Sequence, residues 1–151
     1  MPKDKRSFDL ALRLSEFALA VIRIAETLPE TVAGKHLATR LLDSGTAHVV
    51  TYGEAQGAES RANFIHKMKL TLKDLRESKT WLEMIEMGRL VDASPMIEDA
   101  LRENDHLIGI FVNSINTAKR NHLDSQDATP RAPERDKTGA RRPFEKHGPR
   151  T

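Results

Sequence analysis

The chain has 151 residues, no cysteine, 30% charged residues and a formal net charge of +2. That length supports one domain with a sizeable core, and the missing thiols exclude disulfides, thiolate metal sites and cysteine nucleophiles. No stretch nears the roughly 18 apolar residues of a membrane span, and the basic start Met1-Pro-Lys-Asp-Lys-Arg6 leads into an amphipathic segment, so a soluble cytoplasmic protein without a signal peptide is expected.

The first predicted helix opens at Ser7, a favoured N-cap, and runs to Pro29. Leu10, Leu14, Phe17, Val21, Ile24 and Leu28 follow alternating steps of four and three, with Ala11, Ala18 and Ala25 in a row beside them. Such a helix is about 32 Å long. After Leu28-Pro-Glu30, Thr31 caps a second helix whose apolar face reads Leu37, Leu41, Gly45, Val49 and Tyr52, with Leu42 alongside. The third begins after Ser60, carries Ile65, Met68, Leu72, Leu75, Leu82 and Ile85, and stops at Gly88. Ser94-Pro95 announces the fourth, an N-cap followed by proline at the first helical position. Ile97, Leu101, Ile108, Phe111, Ile115 and Ala118 continue it, with Asn104 at a seam position. No segment alternates with period two. The expected fold is all-α, an antiparallel up-down-up-down four-helix bundle over residues 7–122, followed by a flexible tail over 123–151.

Charge is distributed unevenly. From Thr129 to Thr151 there are seven Lys/Arg and three acids, a net +4, which leaves −2 on residues 1–128. The same segment holds four of the seven prolines and only one large apolar residue, Phe144. It cannot bury enough surface to offset its own ordering entropy, so it is expected to be disordered in isolation.

The stretch Tyr52-Gly-Glu-Ala-Gln-Gly-Ala-Glu-Ser-Arg-Ala-Asn-Phe-Ile-His-Lys67 mixes glycines, glutamates and a histidine. It reads mainly as the corner between the second and third helices, with Gly53 and Gly57 supplying the reversal. A di-iron centre would need two Glu-x-x-His pairs, and only Glu103-Asn-Asp-His106 is present, flanking a seam position so that both side chains point outward. Glu54, Glu59 and His66 could converge at the corner, but no second histidine is spaced to join them. No metal, cofactor or catalytic residue is therefore assigned. Ser44 and His48 stand one turn apart without an orienting acid or an oxyanion hole. They read instead as small residues permitting close packing and a histidine at a helix boundary. Gly-Glu-Ala-Gln-Gly lacks the spacing and lysine of a phosphate-binding loop.

Two features remain. Lys69, Lys73 and Arg76 form a basic stripe on the third helix, and the tail gathers charge without apolar content, with Arg141 and Arg142 adjacent. Both suit a nucleic-acid contact; an ordinary solvated face and a solubilising tail are the bland readings. Trp81 lies beside the third seam and either packs at the bundle edge or anchors an interface, which Met84 could extend.

The strings Phe8-Asp-Leu-Ala-Leu-Arg13, Ser44-Gly-Thr46, Tyr52-Gly-Glu-Ala55, Gly57 to Lys67, Leu75-Arg-Glu77 and Trp81-Leu82 together resemble the four-helix bundle proteins named after intervening sequences in bacterial 23S ribosomal RNA genes. The chain is also similar to accessory proteins of diversity-generating retroelements. Asp43, His48 and Thr51 depart from the family's usual pattern, lowering positive charge along the second helix. The resemblance implies no enzymatic activity and a ring-like homo-oligomer, often a pentamer. It also implies RNA or DNA binding as an accessory to a reverse transcriptase. The competing expectation is a homo-oligomeric protein–protein scaffold without nucleic acid.

Overall fold

A computed structural model describes residues 5–92 and 95–128 and contains four helices: α1 (Lys5–Thr27), α2 (Val32–Gln56), α3 (Arg61–Met87) and α4 (Pro95–Ala128). Each helix packs on the next in the chain, and α4 closes the bundle onto α1 through the least extensive of the four interfaces. This is the expected antiparallel four-helix bundle. The expectations about Ser94 and the basic tail lie outside the described residues. α4 itself continues six residues past position 122, where the bundle was expected to end. Arg61 at the start of α3 holds that extension by donating to the Asn121 carbonyl at 2.9 Å and to Ser125 Oγ at 2.8 Å.

The helix starts follow local chemistry. Thr31 accepts from the Gly34 N–H at 3.0 Å and Ser60 from the Asn63 N–H at 3.0 Å, each satisfying an orphan donor of the first turn. Ser7 is not a cap, because α1 already begins at Lys5. The reversals differ from expectation in two places. Gly53 lies within α2, and Gly57 alone forms the C-cap. Gly88 keeps a right-handed helical conformation, and the left-handed position falls on Arg89 (φ 50°), after which the Leu90 N–H reaches back to the Ile85 carbonyl.

The seams of α1 and α3 are buried as their spacing predicts: Leu14, Phe17, Val21, Ile24 and Leu28, with Leu10 half-buried at the open end, face Ile65, Met68, Leu72, Leu75, Leu82 and Ile85 across the core. Two registers shift. In α2 the central position after Gly45 belongs to His48, not to Val49, which is half-buried. In α4 the buried line is Ile97, Ala100, Asn104, Leu107, Phe111 and Ile115, while Leu101 and Ile108 are only half-buried.

Asn104 explains the α4 register. Oriented by its hydrogen bonding, its buried side-chain amide donates to the Leu75 carbonyl at 3.0 Å and accepts from the Lys79 N–H at 3.1 Å. The amide thus grips one turn of the α3 backbone, and both its polar ends are satisfied without water. The Ser44 and Ser78 hydroxyls meet across α2–α3 at 3.1 Å, and each also reaches a carbonyl one turn back in its own helix.

Gly45 sets the α1–α2 distance, since a β-carbon there would overlap Cγ1 of Val21. Gly53 has open space around it. The two glycines should therefore respond oppositely to the same substitution. Gly53→Ala should stabilise by about 0.5–1 kcal/mol through helix propensity. Gly45→Ala should destabilise by about 1–3 kcal/mol through overpacking, despite the same propensity gain. Thermal unfolding of the two variants checks this; a stabilised Gly45→Ala would mean that α1 and α2 are not in close contact there.

Candidate nucleic-acid interface

The α3 stripe faces α4, and the two helices bound an open groove of about 590 Å³. Lys69, Lys73 and Arg76 line one wall and Lys119 the other, over a floor of Leu72, Val112 and Ile115. The structure therefore brings all three sequence-predicted stripe residues to one feature and adds a fourth cation. Lys119 was not legible from the stripe because it belongs to another helix; its only signal is its place one turn beyond Ile115. Glu77 is the one carboxylate in the groove, so four cations and one anion give it a local charge of +3. The Lys73–Glu77 pair is long, at 3.9 Å, and both side chains are exposed, so it neutralises little.

Elsewhere on the bundle, three basic side chains meet acids across helix interfaces. Arg13 donates twice to Glu103 Oε1, at 3.0 and 2.6 Å, with His106 beside the same guanidinium. Lys67 pairs with Glu54 at 2.6 Å and Lys79 with Asp105 at 2.7 Å. The Asp105 carboxylate, as acceptor, raises the Lys79 pKa. Lys69, Arg76 and Lys119 take part in no ion pair among the described residues. The groove thus concentrates positive potential on a body whose net charge is negative.

Glu103 and His106 reach Arg13, not each other, and Glu54 is held by Lys67. Among the described residues no three His, Asp or Glu side chains converge as a metal site would require. Ser44 and His48 do not form a pair: the serine bonds Ser78 and its own helix, and the histidine ring packs on Phe17 with centroids 5.4 Å apart. His48 also does not lie at a helix boundary; it is fully buried in the middle of α2, and neither ring nitrogen has a hydrogen-bond partner. Its polarity hid it from the apolar pattern, although Leu41, Gly45, His48 and Tyr52 are spaced four, three and four apart like any seam.

Trp81 is half-buried against the core at the α2–α3 edge, with the His36 ring meeting it edge-to-face at 6.4 Å. Met84 is 46% exposed, with exposed Met87 three residues on. Arg141 and Arg142 lie outside the described residues. No helix of the described residues is long and apolar enough to cross a membrane.

Neither a family model nor a curated protein matches the chain. Among solved structures, the bundle is similar to a protein of unknown function from the S23 ribosomal protein family of Bacteroides thetaiotaomicron. The match has a TM-score of 0.66 and 23% identity over 73% of this chain and 97% of that one. At that identity the likeness shows a shared four-helix fold.

Proposed function

We propose that this protein is a non-enzymatic nucleic-acid-binding accessory protein whose phosphate contact is the α3–α4 groove. One observation carries the reading: four cations from two helices line a single groove that contains one carboxylate. Lysines and an arginine gathered at one surface hold phosphates without reading bases, so binding to RNA or DNA would be sequence-independent. The basic composition of residues 129–151 supports the same reading, since α4 runs nine residues past Lys119, about 14 Å, and its last residue, Ala128, lies beyond that end of the groove. Arg141 and Arg142 would then add to the contact. A reverse transcriptase as protein partner and the pentamer number follow only from the family resemblance, whereas self-association is also supported by apolar surface that the single bundle leaves exposed, Met84 included.

Fluorescence anisotropy with a labelled 20-nucleotide RNA tests the groove. Four phosphates neutralised on a single strand give a log–log salt slope of roughly −2.8, so affinity should fall about 50-fold between 50 and 200 mM salt. Arg76→Glu with Lys119→Glu should weaken binding at least tenfold and flatten that slope by about 1.4. Arg141→Glu with Arg142→Glu measures the tail in the same assay. A groove variant that binds with unchanged affinity and slope would remove the reading, and no binding by the unaltered chain at 50 mM salt would leave the scaffold in its place.

A further inference from the structure

The single tryptophan of the chain stands next to the basic groove without belonging to it. Trp81 is half-buried, and its indole lines a second cleft, of about 490 Å³, on the α2 side of α3. Glu77 and Thr80 share that wall with it, and His36, Arg40 and Asp43 of α2 form the other. Glu77 and Thr80 also line the basic groove, so groove and cleft lie on either side of one exposed turn of α3. A helix with its side chains is about 10 Å across. A phosphate in the groove and the base of a neighbouring nucleotide in the cleft can therefore belong to one strand.

We propose that this cleft takes an unpaired nucleobase, stacked on Trp81, while the groove holds the phosphates of the same strand. The inference rests on the nucleic-acid reading of the groove and adds to it the form of nucleic acid, which is single-stranded. Charge sorts the two parts of a nucleotide between the two sites. The groove sets four cations against one carboxylate, whereas the cleft sets one guanidinium, Arg40, against the carboxylates of Asp43 and Glu77. Neither Arg40 nor Asp43 takes part in an ion pair among the described residues. A phosphate is drawn to the first site and repelled by the second. An uncharged base has no such preference and gains an aromatic face in the cleft.

The His36 ring, edge-to-face with the indole at 6.4 Å, supports it from the α2 side. Arg40, Asp43 and Thr80 supply donors and acceptors for the edge of a base. In a duplex the bases are already stacked and paired, and extracting one costs far more than taking it from a single strand. Every base has a π-face, so the cleft adds a preference for single strands without adding one for sequence.

Because the chain has one tryptophan, its emission reports on this cleft alone. The full chain is titrated with an oligothymidylate of about 20 nucleotides and with an abasic strand of the same length, long enough for groove and cleft together. Anisotropy and tryptophan emission are followed in each titration. Both strands should bind with the same salt slope, but only the oligothymidylate should quench the emission, and it should bind about tenfold tighter. Trp81→Ala should remove that tenfold advantage while leaving the abasic strand's affinity and the salt slope unchanged, and Trp81→Phe should keep most of it. Equal losses for both strands in Trp81→Ala would make the indole a structural residue and overturn the inference. Oligothymidylate binding without quenching, or equal quenching by the abasic strand, overturns the cleft and leaves the groove reading intact. Emission that shifts with protein concentration before any strand is added would put a second copy over the indole and overturn it equally. No binding of either strand removes groove and cleft together.

Discussion

Phe111→Ala should lower the free energy of unfolding by about 3–5 kcal/mol, the loss typical of a buried aromatic ring whose cavity cannot collapse. Phe111 has no exposed surface, and its ring meets Tyr52 edge-to-face with centroids 5.6 Å apart, joining α4 to α2 through the core. Edge-to-face pairs add about 0.5–1.5 kcal/mol beyond area burial, so the upper part of that range is expected. The same experiment tests the α4 register. Leu107 is fully buried and Leu101 is not, so Leu107→Ala should cost about 2–5 kcal/mol and Leu101→Ala less than half as much. Chemical denaturation of the three variants gives the comparison. Equal losses at 101 and 107 would mean that α4 is rotated relative to its position here.

The α4 register shows where sequence periodicity runs out. Apolar residues at 97, 101, 107, 108, 111 and 115 fit more than one stripe on a helix of 34 residues. An ideal helix drifts by about 20° per heptad against a strict seven-residue repeat, so the repeat alone cannot choose over this length. The choice is made by a polar residue. Asn104 can be buried only where its amide finds both a donor and an acceptor, and the Leu75–Lys79 turn of α3 supplies them. α1 was readable because its seam is unbroken, despite a second, exposed apolar row at Phe8, Leu12 and Leu19, and α3 because only Ser78 interrupts its seam.

Helix ends were readable where a side chain makes the cap, as at Thr31 and Ser60. They were misread where a backbone conformation decides. Gly53 stays helical because losing a glycine's freedom costs only about 1 kcal/mol, which α2 packing exceeds. Three of the four groove cations were legible for a similar reason. Lys69, Lys73 and Arg76 share a face through local geometry, whereas their meeting with Lys119 depends on how α3 packs against α4.

His48 makes the strongest pH prediction. Its ring is fully buried against Phe17 of α1, with Gly45 and Ser44 one turn before it on α2. Desolvation pushes its pKa from 6.5 down to about 4, and the Gly45 carbonyl one turn back, too poorly placed to form a hydrogen bond with the ring, offsets this only in part. In the unfolded chain the same ring takes its proton near 6.5. Between those values the unfolded state binds more protons than the folded one, so stability falls as pH drops. A gap of about 2.5 units corresponds to about 3 kcal/mol, present in full above pH 6.5 and lost progressively down to pH 4. Asp74, which accepts from Thr51 at 3.2 Å, acts in the opposite sense: burial raises its pKa above 3.8, so its ionisation destabilises the fold as pH rises through that range. That contribution is common to the wild type and to a histidine variant, so their difference isolates the ring. His48→Leu removes two unpartnered buried nitrogens at similar volume and should be no less stable than the wild type at pH 7. Denaturant midpoints measured from pH 8 to pH 4 should show the wild type losing about 3 kcal/mol relative to His48→Leu, nearly all of it below pH 6.5. Parallel curves for the two proteins would mean that the ring is solvated or partnered in the folded state, and His48 would then be no part of the dry core.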